Sequence, residues 1–314
     1  MIEPGILHGM SGFSFFSFGF HRLPYSFEFV PAIASGQSAN PVAQRSIHTS
    51  DEFMSETQEV QAADPAVIRI RGLSYSYGGG RAVLVDVGFE VARGERVALV
   101  GPSGAGKSTL LMHLNGLLPD RLPTDADRAS VVISGVPVRK SSVSDVRRLV
   151  GFVFQDPDDQ LFCPTVREDV GFGPLNLGLS WDEVLRRISE SLDQVGLSGF
   201  ENRSTLQLST GERKRVCVAG VLACQPEVLV LDEPFANLDP RARRGLISIL
   251  REFPGAQVIA THDLEFVVEL CDRVIILDDG DVKADGPVRE VLSDERLIEK
   301  HGLEVPWCLR EGGV

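Results

Sequence analysis

The chain has 314 residues, 43% of them hydrophobic, which is enough to bury a large core but not to build a second full domain. Its formal net charge of -13 disfavours nucleic acid as a partner, because binding to a phosphate backbone needs clustered lysine and arginine. No run of about 20 apolar residues occurs, so we expect no membrane-spanning segment in this chain. Any passage through a membrane would need a separate protein. The five cysteines form no Cys-x-x-Cys pair, which is typical of reduced thiols in a cytosolic protein.

Residues 1–66 differ in composition from the rest and are predicted to be an extension of low order. A cluster of phenylalanine and serine at Ser11–Phe20 is followed by several prolines and then by a polar, acidic stretch. The cluster is too short to span a bilayer and lacks the basic start of a secretory signal, so we expect disorder or weak surface association. A sharper hypothesis is that translation begins at Met54, because the first predicted strand starts shortly afterwards, at Val67.

A glycine-rich loop, Gly101–Thr109, contains the sequence Gly-Lys-Ser-Thr. The apolar segment Arg96–Val100 before it predicts a buried strand and Leu110–Leu114 after it predicts a helix, which is the context that a phosphate-binding loop requires. Glycines let successive N–H groups point at phosphate oxygens, and the helix N terminus adds positive potential. The candidate ATP-binding residues of this loop are Gly101, Ser103, Gly104, Ala105, Gly106, Lys107, Ser108 and Thr109.

Three side chains of this loop have predicted roles. Lys107 is expected to reach the β- and γ-phosphates, Ser108 to offer its hydroxyl to Mg²⁺, and Thr109 to add a phosphate contact. The loop therefore predicts a site for ATP, with Mg²⁺ as cofactor.

Further along, the pattern predicts a strand and then a helix. Gly151–Phe154 is an apolar strand that ends at Gln155. Ser180–Glu183 has the pattern of a capping box, and the apolar residues after it recur at helical spacing, which predicts a stripe facing the core. The members of this stripe are Val184, Leu185, Ile188, Leu192 and Val195.

A second apolar strand, Val228–Leu231, ends in the carboxylates Asp232 and Glu233. Its uninterrupted apolar character suits a central parallel strand, which places both carboxylates at the carboxyl edge of the sheet, where ligands bind. Asp232 is then placed to hold Mg²⁺ through water, and Glu233 to act as general base toward the attacking water. Charged residues are common at strand ends, so this motif is weak by itself.

The last segments of interest lie in the carboxyl-terminal third. Asp239 precedes Pro240, an arrangement typical of a helix N-cap. His262 follows the predicted strand Gln257–Ala260. The acidic turn Asp278–Asp281 lies between apolar runs, which favours a β-hairpin over a metal loop.

The order of these motifs resembles the ABC-type ATPases over about residues 67–290. The deciding segment is Leu208-Ser-Thr-Gly-Glu212, because that family carries its Leu-Ser-Gly-Gly-Gln signature just before the carboxylate strand. The resemblance implies an α/β fold, a P-loop NTPase with a mostly parallel core sheet, an antiparallel β subdomain and an inserted α-helical subdomain at about residues 156–207. Residues 291–314 would then be a C-terminal tail.

In this family the signature of one subunit contacts the ATP bound by the other. The resemblance implies that role for Ser209 and Gly211, with Glu212 as a further candidate. The chain departs from the family's Gly and Gln at Thr210 and Glu212, which leaves the details of this contact open. We expect a helix to begin immediately after Gly211, so that its positive end faces phosphate.

Other roles are implied for single residues. Tyr77 matches the ring that stacks on adenine, with Tyr75 as a rival. Gln155 matches the glutamine that senses Mg²⁺ and the γ-phosphate, Asp239 lies in the loop that crosses the dimer interface, and His262 matches the histidine that stabilises the γ-phosphate. The implied metal ligands are Ser108, Gln155 and Asp232, and the implied catalytic residues are Glu233, His262 and Gln155.

The acidic segment after the glutamine resembles the ATPase subunits of energy-coupling-factor transporters. In that group it borders a groove for coupling helices of the transmembrane subunit, and Asp158, Asp159 and Phe162 are the candidates for lining it. The segments Val216–Ala223 and His301–Pro306 further resemble the members that serve cobalt or nickel uptake.

The resemblance therefore implies an ATP-hydrolysing subunit of an energy-coupling-factor importer, most closely one for cobalt or nickel ions. It implies a second ATPase subunit, identical or paralogous, a transmembrane coupling subunit and a substrate-binding membrane component, with this chain peripheral at the cytoplasmic face of the membrane. The alternatives are the ATPase of a vitamin or other ABC transporter, and an ABC ATPase outside transport. The last is disfavoured because no long coiled coil separates the loop from the signature and the chain has one cassette.

Overall fold

The computed structural model describes residues 66–310, which form two sheets flanked by helices. The Ser11–Phe20 cluster and the hypothesis of a start at Met54 lie outside the described residues, as do residues 311–314. The strands are β1 (Ala66–Tyr75), β2 (Leu84–Ala92), β3 (Arg96–Val100), β4 (Val131–Ile133), β5 (Val136–Pro137), β6 (Val150–Val153), β7 (Val228–Asp232), β8 (Ala256–Ala260), β9 (Arg273–Asp278) and β10 (Asp281–Pro287).

The helices surround the larger sheet and form a separate group between β6 and β7. They are α1 (Lys107–Leu114), α2 (Val143–Leu149), α3 (Val166–Asn176), α4 (Trp181–Gln194), α5 (Thr210–Leu222), α6 (Pro240–Glu252), α7 (Leu264–Leu270), α8 (Val288–Leu292) and α9 (Glu295–Lys300). None of the helices between residues 66 and 310 is long and apolar enough to cross a bilayer.

The larger sheet has the order β10-β9-β3-β8-β7-β6. Its neighbours pair in parallel except for the β9–β10 hairpin. The smaller sheet, with the order β2-β1-β4-β5, is antiparallel. The predicted α/β fold, with a mostly parallel core sheet beside an antiparallel one, is therefore confirmed.

The larger sheet is buried on both faces, as its apolar runs predicted. In β3, Ala98 and Val100 belong to one hydrophobic cluster, whereas Val97 and Leu99 belong to another. Successive side chains of a strand point to opposite faces, so the two clusters lie on opposite sides of the sheet. Burial on both sides holds the strand ends rigidly, which matters for the loops that follow them.

Helices α3, α4 and α5 pack against one another and lie between Gln155 and the carboxylate strand. The predicted stripe of α4 is confirmed, because Val184, Ile188, Leu192 and Val195 are buried and Leu185 is partly buried.

The predicted capping box at Ser180 is only half formed. Ser180 accepts a hydrogen bond from the N–H of Glu183 at 3.4 Å, but the Glu183 carboxylate instead accepts bonds from Arg186 at 2.6 Å and Arg187 at 2.8 Å. Charge-assisted bonds outcompete a bond to the neutral backbone.

The acidic turn after β9 is a hairpin, as predicted. Its two central residues, Asp279 and Gly280, have φ values of 50° and 77°, which suit a two-residue turn between antiparallel strands. The described residues contain no cluster of His, Cys, Asp or Glu suited to a metal ion.

Parallel pairing brings several loops to one edge of the larger sheet. The glycine-rich loop follows β3, Gln155 follows β6, Asp232 ends β7, and His262 follows β8. Because these strands point the same way, their carboxyl ends meet at the edge where α/β proteins bind ligands.

Candidate functional site

The glycine-rich loop has a shape that only glycine allows at two positions. Gly101 has φ 149°, and a Cβ there would lie 1.9 Å from the carbonyl oxygen of Leu277. Gly106 has φ 104°, and a Cβ there would lie 2.8 Å from the carbonyl oxygen of Val83. Gly106 is also the N-cap of α1, without a side-chain cap. The loop therefore ends at an uncapped helix N terminus, which is suited to an anion.

A small cleft of about 220 Å³ lies along this loop. Gly104, Ala105 and Gly106 line it together with the first residues of α1. At Gly104, with φ 82°, no atom lies within 4 Å of the place a Cβ would take, so the backbone here is open on its ligand side. A chain of phosphates fits this kind of cradle.

Lys107 lies at the mouth of the loop. Its ammonium group donates to the carbonyl oxygens of Gly101 at 2.7 Å and Pro102 at 3.0 Å. Burial lowers the pKa of Lys107, while Glu233 and Asp232 act in the opposite direction. A partly desolvated ammonium attracts a phosphate more strongly than one in water would, because the local dielectric is lower.

Ser108 and Asp232 lie together behind the loop. The Asp232 carboxylate is almost fully buried, and the Ser108 hydroxyl lies close enough to it to affect its pKa. Burial raises the pKa of Asp232, and the Ser108 hydroxyl lowers it. A hydroxyl and a carboxylate next to a phosphate cradle are the oxygen donors that Mg²⁺ prefers, so these residues fit the expected metal.

Glu233 occupies an unusual backbone position. Its φ is 42°, in the left-handed region that non-glycine residues rarely adopt, and its N–H donates to the carbonyl of Ala260 at 2.9 Å. Its carboxylate lies 2.9 Å from Nδ1 of His262 and accepts a bond from the Thr261 hydroxyl at 3.4 Å. The His262 side chain is 74% exposed, whereas Glu233 is mostly buried.

Glu233 and His262 line a cleft of about 680 Å³ together with Lys107 and the start of the glycine-rich loop. The opposite wall is the segment Gly302–Trp307 with Arg310. This segment is held in place because Leu303, Val305 and Leu309 pack against the core. The expected catalytic carboxylate therefore lies in the same cleft as Lys107, the lysine expected to bind phosphate.

Tyr77 lies beside the other end of the loop. Its hydroxyl is 3.1 Å from that of Thr109, and the residue is 48% exposed. Tyr75 is partly buried and packs edge-on against His113 at 4.8 Å. Of the two tyrosines, Tyr77 has the more exposed ring and contacts the loop, which suits a stacking role better.

Gln155 lines a third cleft, of about 480 Å³. Thr210 and Lys214 of α5 line the same cleft. Gln155 thus faces the start of the signature helix.

The signature helix begins earlier than expected. The sequence predicted a start after Gly211, but α5 starts at Thr210, and Ser209 is its N-cap. The reason is a full capping box: the hydroxyl of Ser209 accepts from the N–H of Glu212 at 3.3 Å, and the Glu212 carboxylate accepts from the N–H of Ser209 at 2.8 Å. The pKa of Glu212 is lowered first by the bond from the Ser209 N–H and then by the Ser209 hydroxyl, which donates to the carboxylate at 2.7 Å.

Asp239 is the N-cap of α6, as its position before Pro240 predicted. Its carboxylate accepts from the N–H groups of Arg241 at 2.8 Å and Ala242 at 2.9 Å. A Cβ on Gly211 would lie 3.1 Å from that of Ala242, so the signature and α6 pack closely. Only a small residue fits this contact at position 211.

Comparison with known proteins connects this geometry to a family. The family model described as ABC transporter matches residues 84–236. The energy-coupling factor transporter ATP-binding protein EcfA of Methanothermobacter thermautotrophicus is 48% identical over 245 residues, 76% of this chain and 77% of that protein. The chain belongs to the ABC transporter ATP-binding proteins of the energy-coupling-factor type.

Solved structures agree with this assignment. CbiO1 of Clostridium perfringens, described as part of the ABC transporter complex cbiONQ, is 34% identical with a TM-score of 0.65, covering 76% of this chain and 94% of that one. The ATP-binding cassette MJ0796, solved as a dimer in a post-hydrolysis state with ADP and Pi, is 29% identical with a TM-score of 0.61, covering 70% and 98%.

In this ABC protein the residues expected to face a membrane partner lie next to the third cleft. Asp158 and Asp159 are in a short 3-10 helix, Pro157–Asp159, and Asp158 pairs with Arg213 of the signature helix. Phe162 is 65% exposed, and its ring meets that of Phe172 on α3 at 4.8 Å. Asp158, Asp159 and Phe162 are thus all exposed.

Two parts of the site were missed by sequence reasoning. The segment Gly302–Trp307 was noted only within the resemblance to the cobalt or nickel members, and only its packing places it at the cleft. Lys214 was not predicted to take part in the site, yet its side chain is buried. A signal existed, because Lys214 precedes the buried Cys217 and Val218 by three and four positions, on the core face of the helix.

Proposed function

We propose that this chain hydrolyses ATP and that Glu233 is its general base. The observation that carries the proposal is the position of the Glu233 carboxylate, fixed by Thr261 and His262 in the cleft that also contains Lys107. A carboxylate held toward a phosphate-binding lysine is suited to orient a water and accept its proton.

The other residues would act by binding and orientation. The glycine-rich loop and Lys107 would hold the β- and γ-phosphates, and His262 would donate to the γ-phosphate. Ser108, Asp232 and Gln155 would hold Mg²⁺, which supplies charge neutralisation when bound. Tyr77 would stack on the adenine, with Thr109 bonded to its hydroxyl as in the present structure.

We propose that two ATPase subunits, identical or paralogous, enclose two ATP molecules. Ser209, Gly211, Glu212 and Asp239 would then contact the ATP of the opposite subunit. The proposal is supported by the exposed start of α5 and by the dimeric form of the related cassette MJ0796. ATP would join the halves, and hydrolysis would release them.

We propose further that the chain is peripheral at the cytoplasmic face of a membrane and drives a transmembrane coupling subunit with a substrate-binding component. The support is the surface of Asp158, Asp159 and Phe162 and the likeness to CbiO1, described as part of cbiONQ. On that likeness we propose cobalt or nickel as the cargo.

We also propose the division of the chain into residues 1–66, 67–290 and 291–314, with a helical subdomain at about residues 156–207. Residue 290 itself lies within α8.

The decisive test of hydrolysis is Glu233→Gln. This change keeps the size of the side chain but removes the proton acceptor, so we expect turnover to fall at least about 100-fold while the Kd for ATP changes by less than about threefold. ATP binding is measured by titration calorimetry and hydrolysis by phosphate release. A variant that keeps most of its turnover would refute the role of Glu233.

The test of the partners is affinity purification of the tagged full chain from gently solubilised membranes, followed by mass spectrometry. Recovery of a polytopic coupling protein with a metal-type membrane component supports the proposal. Recovery of a vitamin-type component instead would mean that the cargo is a vitamin and not cobalt or nickel. Recovery of only ribosomal or nucleoid proteins would overturn the transport role.

A further inference from the structure

Lys214 is a buried cation that none of the steps above uses. It lies in the second turn of the signature helix α5 and is 3% exposed. Its ammonium group donates to the backbone carbonyls of Glu233 at 2.9 Å and Pro234 at 3.1 Å. Both acceptors belong to the turn that carries the proposed general base.

The burial of this ammonium group is unfavourable in itself. Desolvation lowers the pKa of Lys214, and the carboxylates of Glu233, Asp156 and Asp232 offset part of that effect. An apolar side chain of similar length would fill the same volume without the desolvation cost. What the ammonium group provides, and an apolar side chain does not, is the pair of hydrogen bonds to the carbonyls of Glu233 and Pro234.

The turn that Lys214 holds has a constrained backbone. Glu233 lies at φ 42°, which costs free energy and persists only where surrounding contacts impose it. On one side, the N–H of Glu233 is tied to Ala260 of β8. On the other, Lys214 holds the carbonyl groups of Glu233 and Pro234. The backbone of Glu233 is therefore restrained on both sides.

We propose that Lys214 is a positioning residue that fixes the Glu233–Pro234 turn and so aims the Glu233 carboxylate. The lysine comes from the helix whose N-cap, Ser209, would contact the ATP of the opposite subunit. A shift of this helix relative to β7 would therefore move the base of the same subunit. The inference rests on the proposed hydrolysis by Glu233.

The test is Lys214→Met in the full-length protein, because methionine keeps the length and helix preference of lysine but donates no hydrogen bond. We expect kcat to fall about 10- to 100-fold, while the KM and Kd for ATP stay within about twofold, since Lys214 does not line the phosphate cradle. Lys214→Gln, whose amide still donates, is expected to fall between wild type and Lys214→Met. A Lys214→Met protein within about twofold of wild-type kcat, or a Lys214→Gln protein no better than Lys214→Met, overturns the proposal.

Arg215→Met is the matched control. Arg215 is the next residue of the same helix and also donates to backbone carbonyls, of Val195 at 3.2 Å and Gly196 at 3.4 Å, but these lie after α4 and away from Glu233. We expect this control to lower the melting temperature as much as Lys214→Met does without the loss in kcat. Equal losses of kcat in both variants would mean that Lys214 only stabilises the helix.

A double-mutant cycle separates action through Glu233 from action elsewhere. In the Glu233→Gln background, single-turnover hydrolysis is expected to change by less than about twofold when Lys214→Met is added. A further loss of about tenfold would overturn the positioning role. Failure of the proposed function would look different, because the wild-type protein itself would then not hydrolyse ATP.

Discussion

The two helix N termini of the proposed nucleotide site differ in their first turns. Helix α1 begins after Gly106, in a left-handed conformation and without a side-chain cap. Helix α5 begins after Ser209, whose hydroxyl and N–H are both engaged by Glu212. One terminus thus has no side chain competing for its first N–H groups, whereas the other is already closed by a carboxylate.

This difference has a functional consequence. The glycine-rich loop is preorganised for an anion, so binding of ATP to one subunit should need little rearrangement. The signature terminus must share or exchange the bonds of its capping box before Ser209 can donate to a phosphate. Glu212 also adds negative charge there, balanced in part by Arg203 at 3.8 Å. We therefore expect the contact between subunits, rather than the first binding of ATP, to be the tunable step.

The largest effect should follow from removing the lysine side chain of the glycine-rich loop. Lys107→Ala removes the cation nearest the expected β- and γ-phosphates, and we expect the Kd for ATP to rise at least about 100-fold. Titration calorimetry measures this, with Lys283→Ala as a control, since Lys283 lies far along the chain and pairs with Asp281 on the surface. A Kd within about threefold of wild type would contradict the assignment of the loop.

Loss of the Ser209 hydroxyl at the N terminus of α5 should instead leave ATP binding unchanged and slow ATP turnover. For Ser209→Ala we expect an unchanged Kd for ATP on one subunit but a fall in kcat of about 10- to 100-fold, because the donor to the opposite ATP is lost. The matched control is Ser180→Ala, the N-cap of α4, which should also lose about 1 kcal/mol of stability but no turnover. Equal kinetics in the two variants would rule out a trans role for Ser209.

A smaller effect should appear at the adenine end of the glycine-rich loop. Tyr77→Ala removes the exposed ring, and we expect the Kd for ATP to rise about three- to tenfold, whereas Tyr77→Phe should stay within about twofold. Tyr75→Ala, which removes a ring packed on His113, should lower the melting temperature without this loss of affinity. Weaker binding in Tyr75→Ala alone would reverse the assignment of the two tyrosines.

The smallest effect should come from Glu212→Gln. Glutamine can keep the capping box but removes the negative charge, so we expect turnover at subsaturating ATP to rise about two- to fivefold.

The pH dependence of unfolding gives a second measurement of the role of Glu212. Because the folded-state pKa of Glu212 is lowered, its contribution to stability is present above its ordinary pKa and is lost as the pH falls through the lowered value. Wild type should therefore lose more stability than Glu212→Gln on acidification, and equal losses would show that the carboxylate does not matter.

The fold and most of the candidate site were predictable, because their signals are local. The apolar runs before Gly101 and before Asp232 predicted two strands that the structure confirms, and the parallel arrangement followed from their uninterrupted burial. The stripe of α4 was predictable from helical spacing for the same reason. The half-formed cap at Ser180 was not, since it depends on which of several partners Glu183 reaches.

The sequence by itself determined the family, the order of the motifs and the residue types that would meet at one edge of the sheet. Only the tertiary structure decided that Lys214 reaches the turn of Glu233 and that Gly302–Trp307 forms a wall of the cleft. The physical reason is the distance along the chain over which each kind of interaction acts. Strand, loop and helix preferences act over a few neighbouring residues, whereas contacts between segments far apart in the chain depend on how buried layers pack.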